Sequence, residues 1–404
     1  MSTAGLSRTR LARMHDVMAG YVERGEVPGL VTAICRRGEL HVDAIGMQAI
    51  GGEAPVRRDT IFRIASMTKP ITAVAAMILV EECKLRLDDA IDAFLPELAN
   101  RRVLRRLDGP LDDTVPANRP ITLRDLLTFR CGLGAVMLPP GTIPIQKAME
   151  EAGLAPGPNP VVHSPDNYMK SLGTLPLMHQ PGERWMYHTG SDILGVLIAR
   201  ASGQSFPDFL RTRIFAPLGM KDTDFHVPTE KRHRLAASYR RNPATDTLVV
   251  HDDPRDSRWA EPPAFASGGG GLVSTADDYA AFCRMMLAKG GHGDTRILSR
   301  ASVELMTMDH LTDAQKAGTE MFFGDGHGGF KAGWGFGMGI DTKRTDLSSV
   351  PGRFGWVGGI GTAGASDPKE DLVGILLTQR MMESPVLPRV MADFWTSAYQ
   401  AIDD

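Results

Sequence analysis

Residues 71–80 read ITAVAAMILV, an almost wholly apolar run that follows Ser66, Lys69 and Pro70. Proline is tolerated near a helix start and disruptive further in, so Pro70 predicts that a helix begins close to Ser66. A helix that is apolar on every side has to be buried. We therefore expect this segment to lie inside the molecule, between two domains, with a serine and a lysine at its start.

The length and composition limit what surrounds this helix. A chain of 404 residues exceeds what one hydrophobic core usually holds, which predicts two domains. With 43% hydrophobic and 23% charged residues, the composition is that of a soluble globular protein. A net charge of -3 provides no basic field for nucleic acid or an anionic membrane surface. We expect a small-molecule partner, no nucleic acid and no membrane.

The N-terminal stretch MSTAGLSRTRLARMHDVMAGYVERG has no apolar core of a signal peptide, so we expect a cytoplasmic protein. The four cysteines are scattered singly, without the paired spacing of a zinc or redox site. They are Cys35, Cys83, Cys131 and Cys283. We predict four reduced thiols packed as small hydrophobic side chains, no metal and no cofactor.

The periodicity of apolar residues indicates an α+β fold built from both ends of the chain. Residues 6–22 have helical spacing, and GLVTAIC and ELHVDAIG flank the turn RRG as a predicted hairpin. Near the other end, DLVGILLT predicts a strand and Leu387 to Ile402 a final helix. The middle of the chain is predicted to be helical, as an insertion between these ends.

Several helix starts in the middle of the chain are marked by side chains. Thr122 and Asp125 have the spacing of a capping box. Ser164 precedes Pro165, which suits the first helical position. Ser274 is predicted to begin a further helix that ends at KGG.

The serine and lysine at the start of the apolar helix predict a reactive pair. If Ser66 caps the helix, Lys69 lies one turn further on the same face, within hydrogen-bonding reach of the hydroxyl. Burial disfavours the ammonium form of a lysine, and a neutral amine can take a proton from serine. Unpaired N–H groups at the helix start would stabilise an oxyanion. A plain helix cap followed by a surface lysine is the structural alternative.

Four separate stretches carry a resemblance to a known family. They are FRIASMTKPITAVA, PITLRDLLTFRCGL, QPGERWMYHTGSDILGVLIARASGQSFPDFLRTRIFAPLGMKDTDF and GGGGLVSTADDYAAF. In this order they resemble the serine β-lactamase and penicillin-binding-protein superfamily over roughly residues 15–380, most closely the class C-like branch that includes the family VIII carboxylesterases. The resemblance implies a serine β-lactamase-like fold, with an antiparallel sheet flanked by the N- and C-terminal helices. It implies an α/β domain of residues 1–88 and 250–404, a helical domain of residues 89–249, and an active site between them.

The resemblance also implies roles for individual residues. Ser66 matches the acylated nucleophile of the Ser-x-x-Lys motif, Lys69 its lysine, and Tyr187 the tyrosine of the second motif, which relays protons. The third motif falls on Trp356, Val357, Gly358 and Gly359, of which the first three are expected in the substrate pocket. The backbone N–H groups of Ser66 and Gly359 would then form the oxyanion hole.

The tyrosine also has a chemical rationale of its own. A phenol is a poor base at neutral pH, but a neighbouring cation such as Lys69 would favour the phenolate of Tyr187. A core tyrosine bonded to a backbone carbonyl is the structural alternative. His188 and His327 have no metal-ligand spacing and no GxSxG context, so we expect ordinary packing or solvent roles for both.

Two departures from the family pattern bear on the substrate pocket. Trp356 stands where β-lactamases and peptidases have a cation near the substrate carboxylate, and tryptophan there is what the family VIII esterases have. Thr189 replaces an asparagine that contacts the substrate amide in those relatives. Residues 134–160 and 318–339, the latter with Phe322, Phe323, Phe330, Trp334 and Phe336, are expected to help shape the pocket.

The sequence therefore favours a serine carboxylesterase that hydrolyses small to medium acyl esters through an acyl-serine. A β-lactamase, a D-amino-acyl peptidase or a transacylase would use the same acyl-enzyme and remains an alternative. A catalytically silent binding or scaffolding relative is the alternative from another class, against which the intact Ser66, Lys69 and Tyr187 argue.

Overall fold

The computed structural model of the protein describes residues 4–136, 138–317, 322 and 332–404. Its α-helices are α1 (Arg8–Glu23), α2 (Thr68–Glu81), α3 (Leu123–Leu127), α4 (Pro144–Glu151), α5 (Pro165–Thr174), α6 (Thr189–Ser202), α7 (Phe206–Leu210), α8 (Ala216–Leu218), α9 (Ala276–Leu287), α10 (Arg300–Met306), α11 (Asp313–Lys316) and α12 (Arg389–Gln400). Short 3-10 helices cover Ala65–Met67, Ile91–Ala93, Pro96–Leu98 and Thr229–Arg234, and a π-helical turn covers Arg211–Phe215. No helix in the described ranges is long and apolar enough to cross a membrane.

The strands belong to one large sheet and several two-stranded ones. They are β1 (Gly29–Arg36), β2 (Glu39–Gly46), β3 (Phe62–Arg63), β4 (Arg102–Leu104), β5 (Thr114–Pro116), β6 (Ser238–Asn242), β7 (Thr247–Asp252), β8 (Val273–Ser274), β9 (Gly291–His292), β10 (Thr295–Arg296), β11 (Ala332–Trp334), β12 (Gly339–Asp341), β13 (Phe354–Gly358), β14 (Thr362–Asp367) and β15 (Leu372–Thr378).

The large sheet joins the two ends of the chain. Over the described residues its strand order is β11-β12-β13-β14-β15-β1-β2, and every neighbouring pair is antiparallel. The pairing of β1 with β15 places Leu30 opposite Thr378 and Arg36 opposite Leu372. The N-terminal hairpin is therefore an integral part of a sheet that the C-terminal third of the chain builds.

Helices cover both faces of this sheet. On one face α1 packs against α12, and on the other α9 packs against β1, β14 and β15. Gly364 lies under the ring of Tyr279 in α9, where an added Cβ would come within 2.6 Å of the ring. The absence of a side chain at residue 364 thus lets α9 approach the sheet closely, which matters because Tyr279 also contacts the segment that carries Ser66.

Helix α2 is the centre of the molecule. Every side chain from Thr68 to Leu79 is buried, and the helix packs against α6 and β13. The prediction of a buried helix is confirmed. Its contacts place the start of α2 between the large sheet and the helical part of the chain, so Ser66 and Lys69 lie where these two layers meet.

Most local predictions are confirmed. The fold is α+β, the hairpin β1–β2 forms, the capping box of α3 joins Thr122 and Asp125, and Ser164 caps α5. The predicted start of α9 at Ser274 is wrong by one residue, because the Thr275 hydroxyl accepts the capping bond from Asp278.

All four cysteines are unpaired, but the expectation that all pack inside the molecule is wrong for Cys83, which is exposed just beyond α2. The division into residues 1–88 with 250–404 and residues 89–249 stays a prediction.

Candidate functional site

Ser66 lies in a 3-10 turn, Ala65–Met67, immediately before α2. Ala65 has a φ of 44°, an uncommon conformation for a residue with a side chain. The N-cap of α2 is Met67, and no side chain caps this helix. The prediction that Ser66 caps the helix is therefore wrong. The hydroxyl instead accepts a hydrogen bond from Lys69, whose Nζ lies 2.9 Å from Oγ.

The turn that carries Ser66 is anchored on two sides. From α9, the Tyr279 hydroxyl donates to the carbonyl of Met67 at 3.1 Å. From the sheet, the Thr362 hydroxyl donates to the carbonyl of Ile64 at 3.2 Å. Buried backbone carbonyls that are paired in this way hold the turn in one conformation. The position of Ser66 is thus set by both the sheet and its covering helix.

Lys69 is completely buried, with 0% of its surface exposed. Burial lowers the pKa of its amine to about 7, and the negative charge of Asp192 partly opposes this shift. The amine also donates to the carbonyl of Gly269 and lies 3.2 Å from Nδ1 of His188. Near neutral pH a large fraction of this lysine is therefore a neutral amine, a form that is able to accept a proton.

Tyr187 closes the other side of the pair. The Lys69 Nζ lies 4.6 Å from the centre of its ring, and the indole N–H of Trp356 donates to its hydroxyl at 2.7 Å. Burial raises the pKa of Tyr187 to about 12, although hydrogen bonds with Ser66 and Trp356 act in the opposite direction. The prediction that Lys69 would favour the phenolate is wrong. The phenol keeps its proton at neutral pH because desolvation dominates.

An aromatic shell accounts for this desolvation. The centre of the Tyr187 ring lies 5.0 Å from that of Phe322, 5.6 Å from Trp185, 5.8 Å from Trp356 and 5.9 Å from Phe129. Rings at such separations exclude water and attract each other through their quadrupoles. Among them, Trp185 and Phe129 had no predicted role, because nothing in their own segments marks them as neighbours of the tyrosine.

His188 also faces Lys69, so the expectation of an ordinary packing role is wrong. It is the central residue of a γ-turn, with φ 84° and ψ -64°, closed by a 3.2 Å bond from the N–H of Thr189 to the carbonyl of Tyr187. This form of the γ-turn is rare and strained. In extended chain, successive side chains point to opposite sides. Here the turn directs both Tyr187 and His188 towards the same amine.

Behind His188 lies a buried carboxylate, Asp192, one turn along α6. Its Oδ2 is 3.2 Å from Nε2 of His188, while Oδ1 accepts from the Ser267 hydroxyl at 2.6 Å and the Gly269 N–H at 2.9 Å. Burial opposes its ionisation, but His188, Ser267 and Gly269 outweigh it and hold the pKa of Asp192 below its ordinary value. The pair was missed from the sequence, although the spacing of His188 and Asp192, four residues apart at a helix start, is a signal that could have identified it.

A cavity of about 310 Å³ opens above Ser66 and Tyr187. Of the predicted pocket residues, Trp356 and Val357 line it, whereas Thr189 is fully buried in α6 and does not. Gly358 is also absent from the lining and packs against Ile64 and Thr362. Gly359, predicted for the oxyanion hole, lines the cavity. Within the described part of the chain, no group of His, Cys, Asp or Glu is arranged to hold a metal.

The two long loops contribute to the same cavity where the structure describes them. Ala135 and residues 156–158 line it from the first loop, and Phe322 lines it from the second. The expectation for Phe323, His327 and Phe330 concerns positions outside the described residues.

A serine, a lysine and a tyrosine thus meet at the floor of one cavity, next to strand β13. Comparison with known protein families identifies the family of this chain. The family model described as Beta-lactamase matches residues 14–392. The chain belongs to the beta-lactamase family.

Similar proteins and solved structures align with almost the whole chain. Protein Rv1367c of Mycobacterium tuberculosis (strain ATCC 25618 / H37Rv) is 40% identical over 88% of this chain and 87% of its own length. Lovastatin esterase of Penicillium rubens is 32% identical, over 94% of this chain and 95% of its own length. The solved structure of EstCE1, a hydrolase with promiscuous acyltransferase activity, superimposes with a TM-score of 0.79 at 24% identity, covering 97% and 99% of the two chains. The fold is therefore the serine β-lactamase-like fold that the motifs predict.

Proposed function

We propose that this member of the beta-lactamase family is a serine carboxylesterase, similar to the family VIII enzymes, that hydrolyses small to medium acyl esters through an acyl-Ser66 intermediate. The observation that carries the proposal is the buried amine of Lys69, 2.9 Å from the Ser66 hydroxyl at the floor of the cavity. The names of two similar proteins, lovastatin esterase and a hydrolase with promiscuous acyltransferase activity, support acyl transfer as the reaction type.

In the proposed acylation step, the neutral amine of Lys69 takes the proton of Ser66, and Oγ bonds to the ester carbonyl carbon. The bond from that carbon to the alcohol oxygen breaks, and the phenol of Tyr187 gives its proton to the leaving alkoxide. A phenol with a pKa of about 12 is protonated at neutral pH and so is ready for this acid role. Lys69 then returns its proton to the phenolate.

Water completes the proposed cycle. It attacks the acyl carbon, one of its protons passes through the same amine and phenol to Ser66 Oγ, and the carboxylic acid leaves. One water is consumed for each ester. The backbone N–H groups of Ser66 and Gly359 are our candidates for stabilising the oxyanion, because both residues line the cavity.

The lining of the cavity favours neutral, apolar acyl groups. Among its described lining residues Glu383 alone has a charged carboxylate, and Glu383 is itself paired with Arg380 and with Arg241 at 3.7 Å. The rest of the wall includes Trp356, Ile360 and Met381. A β-lactam or a peptide would bring a carboxylate to this wall, and that carboxylate would lose its hydration without gaining a paired cation. For this reason hydrolysis of a β-lactam ranks second, behind hydrolysis of an ester.

The proposal is tested on the wild-type protein with an active-site-directed fluorophosphonate and a substrate panel. We expect mass to be added at Ser66 in peptide maps, and p-nitrophenyl acetate and butyrate to be hydrolysed faster than long-chain esters. We expect nitrocefin turnover to be at least about 100-fold lower than that of butyrate, since one poorly paired charge costs a few kcal/mol. The absence of an adduct would refute acyl-Ser66 chemistry, and comparable nitrocefin turnover would favour a β-lactamase. Ester formation with an added alcohol would indicate a transacylase.

Trp356→Phe tests the contact between the indole and the phenol. The variant keeps an aromatic wall but removes the N–H that donates to Tyr187 at 2.7 Å. We expect kcat for p-nitrophenyl butyrate to fall about 5-fold with little change in KM, because one neutral hydrogen bond is worth about 1 kcal/mol. Trp259→Phe, which removes an indole N–H that donates to Gly271 instead, is the matched control. Equal activities for the two variants would contradict a role for the Trp356 donor.

A further inference from the structure

The hydrogen-bond acceptors around Lys69 limit how its amine is oriented. Three acceptors surround Nζ, namely Oγ of Ser66, Nδ1 of His188 and the carbonyl oxygen of Gly269. An ammonium group has three N–H donors and satisfies all three. A neutral amine has two N–H groups and one lone pair, so one of these neighbours must face the lone pair.

Two of the three neighbours, the Ser66 hydroxyl and a protonated Nδ1 of His188, could give a hydrogen bond to that lone pair. The Gly269 carbonyl is an acceptor under all conditions, and the Ser66 hydroxyl has a proton to donate. The outcome therefore depends on Nδ1 of His188. If Nδ1 carries no proton, the two amine N–H groups point at His188 and Gly269, and the lone pair is directed at Ser66.

Asp192 determines which ring nitrogen of His188 carries the proton. Its Oδ2 faces Nε2 at 3.2 Å, and its Oδ1 is already occupied by Ser267 and Gly269. An ionised carboxylate accepts hydrogen bonds only, so Nε2 holds the proton and Nδ1 is an acceptor. Burial, together with the charge of Lys69, lowers the pKa of His188, which keeps the ring neutral.

We propose that His188, held in one tautomer by Asp192, is a positioning residue that orients the neutral amine of Lys69 so that its lone pair faces Ser66. The proposal rests on the proposed acyl-Ser66 function and assigns a role to two residues that the Ser-Lys-Tyr motif does not include. Neither side chain needs to touch the substrate, because both act through Lys69.

The backbone supports this role independently. His188 has a φ of 84° in a strained γ-turn, where glycine would be the unstrained residue. Strain of this kind persists where the surrounding structure demands it, often at functional sites. The loop that contains Gly269 leaves room for this ring, because a Cβ at residue 269 would lie only 2.7 Å from Nε2 of His188. The imidazole thus sits on a strained backbone, in a space that a glycine leaves open.

The pH dependence follows from the groups that face this chain of contacts. Lys69 is faced by His188, Asp192 and the ring of Tyr187, and Asp192 is also faced by the buried phenol of Tyr168. The carboxylate of Asp192 is therefore the negative charge that holds the pKa of Lys69 up against burial. Removing that charge lowers the pKa of Lys69 further, and the rising limb of kcat/KM against pH moves to lower pH.

Asp192→Asn tests the tautomer directly. An asparagine keeps the shape of the side chain and the oxygen that accepts from Ser267 and Gly269. Its NH₂ group faces Nε2, however, and donates to it, so the ring proton moves to Nδ1. The N–H of Nδ1 then donates to the lone pair of Lys69, which is no longer directed at Ser66. We expect kcat/KM for p-nitrophenyl butyrate to fall by about 10³- to 10⁴-fold, because replacing the tautomer-fixing aspartate of a Ser-His-Asp triad costs about 10⁴-fold. The midpoint of the rising pH limb should move down from about 7. Asp278→Asn, a buried aspartate that accepts from Asp222 and Thr223, is the matched control and should leave both quantities unchanged.

A pair of variants at residue 188 separates positioning from folding. His188→Gly removes the acceptor and relieves the strain, which offsets part of the cost of the cavity it leaves, so we expect about a 100-fold loss of kcat in a protein that circular dichroism shows to be folded. His188→Asn also tolerates a positive φ and restores an oxygen acceptor near the place of Nδ1, so we expect it to recover at least about 10-fold of that loss. If His188 were merely structural, His188→Asn would recover none of the activity that His188→Gly loses.

The outcomes distinguish this proposal from the function on which it rests. If the wild type shows no hydrolysis that depends on Ser66, both fail. If the wild type is active and Asp192→Asn matches Asp278→Asn in rate and pH midpoint, the positioning role alone is overturned. Equal activities of His188→Gly and His188→Asn would overturn it as well.

Discussion

Replacing Ser66 with alanine is expected to abolish ester hydrolysis, lowering kcat/KM for p-nitrophenyl butyrate by about 10⁴-fold or more. Removal of a nucleophile leaves only the rate that binding and oxyanion stabilisation provide. The change deletes one half-buried oxygen, so the fold and the cavity are expected to persist. The measurement is steady-state hydrolysis beside circular dichroism, which confirms that the variant is folded.

Ser366→Ala is the matched control for this loss. Its hydroxyl donates to the carbonyl of Cys283 at 3.1 Å, between β14 and α9, and it does not line the cavity. The control loses one buried hydroxyl and should retain activity within about 2-fold. Hydrolysis by Ser66→Ala above one part in a hundred of wild type would point to a different nucleophile.

Replacing Lys69 with methionine is expected to lower kcat by about 10³- to 10⁴-fold, since general-base catalysis contributes up to that amount. The apolar side chain is of similar length, so α2 remains packed. The change also removes a buried titratable group, which gives a second, independent readout in the pH dependence of unfolding.

The sign of that pH dependence follows from proton linkage. Lys69 has a pKa of about 7 in the folded protein and an ordinary value of 10.5. Between these values the unfolded chain binds more protons than the folded one, so the stability of the wild type rises with pH. Below pH 7 both states are protonated, and the dependence disappears. Relative to Lys69→Met, the wild type should gain about 2 kcal/mol of unfolding free energy between pH 7.5 and 9.5.

Denaturant unfolding of both proteins at several pH values measures this difference. Lys147→Met, which changes an exposed lysine of α4, serves as the comparison. A difference between wild type and Lys69→Met that stays constant over this range would mean that the buried amine is not the proton acceptor inferred from its surroundings.

The local part of the site could be predicted from the sequence, and the non-local part could not. Ser66 and Lys69 lie within one helical turn, so their proximity follows from local structure alone. The apolar residues after Pro70 predict that the helix is buried. Tyr187 came from the family resemblance. Its raised pKa could not be predicted, because the rings that desolvate it, such as Phe129 and Trp334, come from distant segments.

Two errors share one physical cause, a residue with a side chain at positive φ. Ala65 at 44° turns Ser66 away from the capping position, and His188 at 84° turns its ring towards Lys69. Propensity assigns such conformations to glycine or asparagine, so an alanine and a histidine give no local warning. The tertiary contacts of the Ser66 turn with α9 and the sheet override that preference.

The pairing of β1 with β15 has a consequence for biosynthesis. Residues 29–36 are made before the other strands of the large sheet, yet their partner at residues 372–378 is the last of its described strands to be made. Until then one edge of the N-terminal hairpin is unpaired and available to other chains. Thr362, which anchors the Ser66 turn, is made equally late. Nascent chains should therefore acquire activity only after β14 and β15 have been made, and products stalled before them should be prone to aggregate.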